Sequence, residues 1–302
     1  MSEYDDIFAG AEKKPEEISV QPFDKEEWIQ QKKAEREAAY LMIDQTAELL
    51  PSDEERIKTY LDLQSRFPRY SVGNVLLLSA QRPEATRIAD YKTWKDSGAY
   101  IQKGETGIII LEPGNEYTRE DGSVGVSYNA KRVFDISQTS AKEAPQPEVH
   151  RDGRLLLKTL IYNAPCEIRL ADDRDFSEGM AAVYDPQDRI IYVERGHDAK
   201  ELFQDIAQEL AHAHMDTAVE KGSYNRAEHA FPAFCVSYMI CRRNGIDVSD
   251  FRFEPPESFK TLDSKGVRAE LGKMRDVANS ISADMDRMTE KQKDAKARDD
   301  AR

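Results

Sequence analysis

The sequence has few cysteines and no long apolar runs. Cys166, Cys235 and Cys241 are an odd number without C-x-x-C spacing, which favours a reduced protein over a disulfide framework. No apolar run approaches the roughly 18 residues that a membrane helix needs. The acidic N-terminus lacks the basic and apolar regions of a signal peptide. We therefore expect a cytoplasmic globular protein with no membrane partner.

Positive charge is also scarce. The formal net charge is −14, and residues 1–50 carry 13 acidic and 6 basic side chains, whereas residues 51–112 carry 9 of each. The neutral block can present a local basic face, while the acidic remainder repels phosphates at long range. The acidity leaves one alternative open, a decoy whose carboxylates mimic phosphates for a host restriction or nuclease protein.

The alternation of helical, strand-like and turn-rich segments predicts an α+β protein with two domains and a long C-terminal helix. Helices are expected over 24–49, 72–81, 91–97, 199–215, 227–244 and 265–298, with another running from a Ser52–Glu55 capping box to Phe67. The expected division is a disordered acidic arm (1–22), a first domain (23–140), a linker (141–153), a second domain (154–258) and the C-terminal helix (259–302).

The last helix carries an apolar stripe at three- and four-residue steps, which predicts a packing face, with a coiled-coil surface as the weaker alternative. Its members are Val267, Leu271, Met274, Val277, Ile281, Met285 and Met288.

Gln208-Glu209-Leu210-Ala211-His212 resembles the zinc helix of metallopeptidases with one ligand missing. In H-E-x-x-H, two histidines on one helical face hold the metal and the glutamate activates water. Here Gln208 stands at the first histidine position, and an amide is a poor zinc ligand. Without a metal, Glu209 has no activated water to work on. We therefore expect Glu209 and His212 to be vestigial.

A third ligand is expected from the following helix, where the aligned positions offer Pro232 or Phe234 instead of a glutamate. This second loss favours a non-catalytic domain without a cofactor. The alternative is an active metal-dependent peptidase in which His212 binds zinc together with Glu228, His229 or Cys235, and Glu209 is the general base.

Four linked motifs occur in order in the first domain. They are Tyr70-Ser71-x-x-Asn74-Val75-Leu76-Leu77-Leu78, Tyr91-x-x-Trp94, Gly98-x-x-x-x-Lys103-Gly104-Glu105-x-Gly107 and Val133-Phe134-Asp135-x-x-Gln138-Thr139. This series resembles the N-terminal domain of ArdC-type antirestriction proteins, and the second unit resembles the zincin-like peptidase domain of that family. The resemblance covers roughly residues 50–245.

The resemblance implies a protein of plasmids, conjugative elements or phages. It also implies that the first domain binds single-stranded DNA and shields incoming strands from host nucleases, while the second carries the metal site. The departures at Gln208 and Phe234 leave the first-domain motifs untouched.

The composition of the first domain agrees with this role, because single-strand binding needs rings for stacking and cations for phosphates. The predicted DNA-binding residues are Arg69, Tyr70, Asn74, Tyr91, Lys92, Trp94, Lys95 and Lys103. Two alternatives remain open: Tyr91 and Trp94 can serve the core, and Asn74 can bridge backbone groups.

Overall fold

The computed structural model describes residues 24–142, 152–171, 176 and 179–300, with side chains as far as residue 291. The predicted arm and most of the predicted linker lie outside these residues. The described chain is α+β, as predicted. Its helices are α1 (Lys25–Leu49), α2 (Glu54–Arg66), α3 (Val72–Gln81), α4 (Tyr91–Asp96), α5 (Gly153–Leu160), α6 (Ala199–Thr217), α7 (Arg226–Asn244), α8 (Glu257–Lys260) and α9 (Ser264–Asp300).

Capping side chains set several helix ends. Helix α2 begins after Asp53, whose carboxylate accepts from the amides of Glu55 and Arg56. The predicted Ser52 cap is wrong, because Ser52 ends a 3-10 turn and its hydroxyl donates to the Leu49 carbonyl. Helix α7 ends at Gly245 with φ of 72°, a left-handed conformation that suits glycine.

Two separate three-stranded sheets accompany the helices. The strands are β1 (Ile88–Ala89), β2 (Ile108–Thr118), β3 (Val124–Asp135), β4 (Glu167–Leu170), β5 (Ala182–Asp185) and β6 (Ile190–Val193). The first sheet has the antiparallel order β1-β3-β2, and the second has the order β4-β6-β5 with β4 parallel to β6. Strand β2 pairs with β3 as far as Thr118, because the pairing resumes after an irregularity between Pro113 and Glu116.

Helix α9 packs along both predicted domains. Its stripe faces α1, α3, α5, α6 and α7, and Val267, Leu271, Met274, Ile281 and Met285 are buried there. This confirms the predicted packing face. The contacts run from the helices of the first sheet to those of the second, so α9 joins the two.

One apolar cluster continues through both predicted domains. Helix α2 packs against α7, and the Tyr238 hydroxyl donates to Asp62 at 2.7 Å. The division into two domains therefore stays a prediction. It separates the two sheets, but one apolar core continues through both predicted domains. Within the described ranges, no helix is long and apolar enough to span a membrane.

Candidate functional site

Glu209 and His212 lie one helical turn apart on α6, on the face that meets β5 and the start of α7. Both side chains are buried, with 1% and 0% exposure. The Glu209 carboxylate accepts a hydrogen bond of 2.6 Å from the Tyr184 amide of β5. The helix thus turns the remaining motif residues into the protein and away from solvent.

Arg226, the first residue of α7, holds the Glu209 carboxylate in a two-pronged ion pair. Its two terminal nitrogens donate to the two carboxylate oxygens at 2.6 and 2.7 Å. Burial raises the pKa of Glu209, and the hydrogen bonds from Arg226 and the Tyr184 amide oppose that rise. The carboxylate is therefore engaged at both oxygens by a fixed cation of the protein itself.

His212 is held as a neutral ring. Its Nδ1 lies 2.5 Å from the Tyr224 hydroxyl, and its buried Nε2 has no hydrogen-bond partner within the described chain. Burial lowers the pKa of His212 to about 3, and the nearby charges of Arg226 and His229 act in the same direction. The ring therefore has a free nitrogen of the kind that binds metals, but no set of further metal ligands is grouped with it within the described residues.

A second buried carboxylate, that of Asp216, belongs to the same network of hydrogen bonds and ion pairs. Asp216 accepts a hydrogen bond of 2.5 Å from the Tyr184 hydroxyl and forms an ion pair of 3.2 Å with Arg189. Tyr184 therefore links the two carboxylates, through its amide to Glu209 and through its hydroxyl to Asp216. Apart from the free His212 nitrogen, these groups are mutually satisfied, which is typical of a structural network.

The positions predicted for the missing ligands do not converge on His212. Phe234 packs instead in an aromatic cluster, with ring centroids 4.8 Å from Phe251 and 5.6 Å from Phe253. The ring that approaches from α7 is His229, which stacks on Tyr224 at 4.8 Å. The assignment of Phe234 to the third ligand position stays a prediction.

The donors at this centre do not fit a divalent metal. Gln208 supplies an amide, and the Arg226 guanidinium stands where a second cation would be repelled. Within the part of the chain that the structure describes, no three His, Cys, Asp or Glu side chains are grouped to hold a metal ion. The buried Cys235 thiol has its pKa raised by burial, which opposes the thiolate that metals bind.

The predicted DNA-binding residues do not all lie together. On α4, Tyr91 is 59% exposed and the neighbouring Lys92 and Lys95 are exposed. Tyr100, 70% exposed, follows α4, and Lys103 is exposed in the next turn, where Gly104 has φ of 92°. The exposed rings and lysines of residues 91–103 are here together called the α4 surface.

Trp94 lies on the same short helix, but its side chain is buried. Its Nε1 donates to the Phe134 carbonyl at 2.9 Å, and its ring packs with Ala99 and Ile136. In this conformation the ring serves the core and is not accessible to a base. Tyr91, three residues earlier, points to solvent.

Asn74 holds the start of α3 against β2. Its amide nitrogen donates to the Leu111 carbonyl and its oxygen accepts from the Leu111 amide, both at 2.8 Å. Tyr70 is half-buried against Phe67, and burial raises the pKa of its hydroxyl. Arg69 lies away from α4, at a cavity beside α7 and α9.

Sequence reasoning missed the partners that complete the Glu209 centre. Arg226 and Tyr184 belong to no recognisable motif, and tertiary packing alone brings them to α6. One sequence signal was available in hindsight: a buried glutamate without a metal requires a cation, and Arg226 opens the next helix.

Comparison with known proteins reveals three similarities. Residues 42–151 match the sequence family described as the N-terminal domain of anti-restriction factor ArdC. An uncharacterized protein of Bacillus anthracis is 26% identical over 239 residues, which cover 63% of this chain and 40% of that protein's length. The chain thus spans less than half of that relative.

Two crystal structures of the antirestriction protein ArdC from plasmid R388 are also similar. The metal-free structure has a TM-score of 0.47 and 18% identity, and covers 72% of this chain and 86% of that one. The Mn(II)-bound structure has a TM-score of 0.49 and 16% identity, with coverages of 72% and 85%. The match over residues 42–151 shows that this chain contains a domain of the ArdC N-terminal family.

Proposed function

We propose that this chain is a DNA-protection protein of a mobile genetic element that binds single-stranded DNA through the α4 surface. The observation that carries this proposal is the combination of two exposed rings, Tyr91 and Tyr100, with three lysines, Lys92, Lys95 and Lys103. None of these lysines forms an ion pair within the described residues, so their charges remain available to phosphates.

The geometry of the α4 surface suits a flexible strand better than a duplex. Exposed rings stack on unpaired bases of any sequence, and lysines beside them follow the backbone. Nearby acids limit the attraction, but Asp90 is engaged by Lys131 at 3.0 Å. We therefore expect weak, salt-sensitive and sequence-tolerant binding.

The second part of the proposal is that the peptidase-like region is not a catalyst. Peptide hydrolysis at an H-E-x-x-H site requires a metal-activated water and a free carboxylate as general base. The Arg226 pair engages both oxygens of Glu209, and its positive charge opposes a metal at His212. The region then acts as a scaffold for α9 and the first sheet.

Fluorescence anisotropy with a labelled single-stranded oligonucleotide tests the DNA proposal. The parent protein should bind with an affinity that falls as salt rises, and Lys92→Gln with Lys95→Gln should lower the salt slope by about 1.4. Removing both rings, as Tyr91→Ala with Tyr100→Ala, should weaken binding at least tenfold, at roughly 1–3 kcal/mol per stacked base.

The matched control is Lys25→Gln with Lys221→Gln, which removes the same charge from exposed positions elsewhere. It should leave the slope unchanged. No binding by the parent at about 50 mM salt would contradict the proposal, since that condition favours phosphate contacts.

Zinc analysis of the purified protein tests the scaffold role, and one bound equivalent would overturn it.

A further inference from the structure

A cavity of about 480 Å³ lies where the end of α2, the segment 66–69, the end of α7 and helix α9 meet. Three arginines from three segments line it: Arg66, Arg69 and Arg243. Arg69 is one of the predicted DNA-binding residues, and the fold brings Arg66 and Arg243 to the same cavity. Cationic side chains thus converge at the junction between the two predicted domains.

Arg243 is the central group of this cavity. Its guanidinium donates to the Ala278 carbonyl at 3.1 Å, to the Ser282 hydroxyl at 2.9 Å and to the Gln64 carbonyl at 3.4 Å. All three acceptors are neutral, and its buried Nε has no partner within the described chain. Burial lowers the pKa of Arg243 to about 10, with Asp286 acting against this. The positive charge is therefore fixed and desolvated without a carboxylate bonded to it.

The other lining groups add to this excess of positive charge. Arg66 donates to the Ala85 carbonyl at 2.6 Å, which is again a neutral acceptor. Arg69 is exposed and has no hydrogen bond or ion pair within the described residues. Asp286 is the one carboxylate in the described lining, so three guanidinium groups face a single negative charge. An uncompensated buried charge of this kind is costly unless a ligand pairs with it.

We propose that this cavity is a phosphate-binding site. A guanidinium presents a planar fork of donors that matches two oxygens of a phosphate group, and three forks from different directions can enclose one tetrahedral anion. No aromatic ring occurs in the described lining, so the cavity recognises the phosphate and not a base. The site is separate from the α4 surface and does not depend on DNA binding there.

Two kinds of ligand carry such a phosphate group: a phosphodiester of single-stranded DNA and a small phosphate compound. Either would join α2, α7 and α9 through one anion, because Arg243 already bonds to α9 and to the α2 carbonyl of Gln64. Phosphate binding should therefore also raise the thermal stability of the whole chain.

Calorimetric titration of the full chain with inorganic phosphate, at low chloride, tests the site. We expect one equivalent to bind, and Arg69→Gln to weaken binding about tenfold, in line with the loss of charge-assisted hydrogen bonds. Arg69 forms no hydrogen bond or ion pair within the described residues, so this variant should keep the melting temperature of the parent. Arg154→Gln, which changes another exposed arginine, is the matched control and should bind as the parent does.

Arg243→Lys keeps the positive charge and removes the planar guanidinium donors, so it should weaken phosphate binding. Circular dichroism checks that this variant is folded. Phosphate binding that is absent from the parent, or unchanged in both Arg69→Gln and Arg243→Lys, would overturn the proposal. Displacement of phosphate by an oligonucleotide in the Lys92→Gln, Lys95→Gln background would assign the site to DNA. Persistence of phosphate binding in its presence would assign the site to a small phosphate compound.

Discussion

The α4 surface and the Glu209 centre treat charge in opposite ways. Lys92, Lys95 and Lys103 are exposed and unpaired within the described residues. Glu209 and Asp216 are buried, and each is paired with an arginine. An unpaired surface cation loses little when a ligand covers it, whereas a buried pair must be broken before either member can act.

This contrast sets two uses of charge side by side within one chain. Residues 42–151 match the ArdC N-terminal domain, and the second region retains only part of a catalytic motif. The difference teaches that a motif residue such as Glu209 can be held by packing and by an ion pair within the protein. Three experiments sharpen or break this contrast.

The largest effect is expected from Arg226→Leu, which leaves the Glu209 carboxylate buried without its cation. The free energy of unfolding should fall by about 3–5 kcal/mol. Urea unfolding measures it, and Arg169→Leu is the control because the Arg169–Glu167 pair is exposed and should contribute little to stability. The double variant Arg226→Leu with Glu209→Leu should recover much of the loss. Equal effects of Arg226→Leu and Arg169→Leu would show that the pair is not a structural element.

Substitutions of the buried and the exposed ring of α4 should differ in kind. Trp94→Ala removes a buried ring and the hydrogen bond to Phe134, and should cost about 3 kcal/mol of stability. Tyr91→Ala changes an exposed ring and should cost under about 0.5 kcal/mol, while weakening binding to single-stranded DNA. Chemical denaturation and anisotropy on the same samples give both quantities. A large stability loss from Tyr91→Ala would place its ring in the core and break the contrast.

The smallest expected effect is a pH dependence from His212. The folded-state pKa of about 3 lies below the ordinary 6.5, so the unfolded chain binds more protons between these values. The His212 contribution to the free energy of unfolding should therefore fall on acidification below about 6.5, by up to about 1.4 kcal/mol per pH unit.

Comparison with His212→Gln isolates this contribution, because the pKa of Glu209 is raised by burial and acts with the opposite sign. Denaturation at pH values of about 5 and 7 should give a smaller pH dependence for the variant than for the parent. Identical pH dependences would mean that the ring is protonated or solvated in the folded state.

Local patterns predicted most helices and the packing face of α9. Helical periodicity and end signals act over a few residues, so the bounds of α1, α3, α4 and α7 fall within two residues of expectation. The start of α2 was misplaced by one candidate cap, since Ser52 and Asp53 are adjacent and only the geometry decides between them. The length of β2 depends on its partner β3, which lies across a turn.

The candidate sites were less predictable, because their decisive contacts are long-range. The resemblance motifs contain Asn74, Trp94 and Asp135. In the structure, Asn74 and Trp94 hold the first sheet against α3 and α4. Asp135 holds the segment before β1, because it accepts from the amides of Thr86 and Arg87. Motif residues were thus found correctly, while the direction of each side chain was not available from spacing. The pairing of Arg226 with Glu209 had no local signal at all.

Helix α9 has a consequence for how the chain reaches its fold during translation. Its apolar stripe covers α1 and α3 as well as α5, α6 and α7. The ribosome synthesises all five of those helices before α9, so the apolar faces that α9 covers are exposed to solvent until α9 has been made. The nascent protein is then most prone to aggregation in that interval, and a chaperone that shields apolar surfaces would act there.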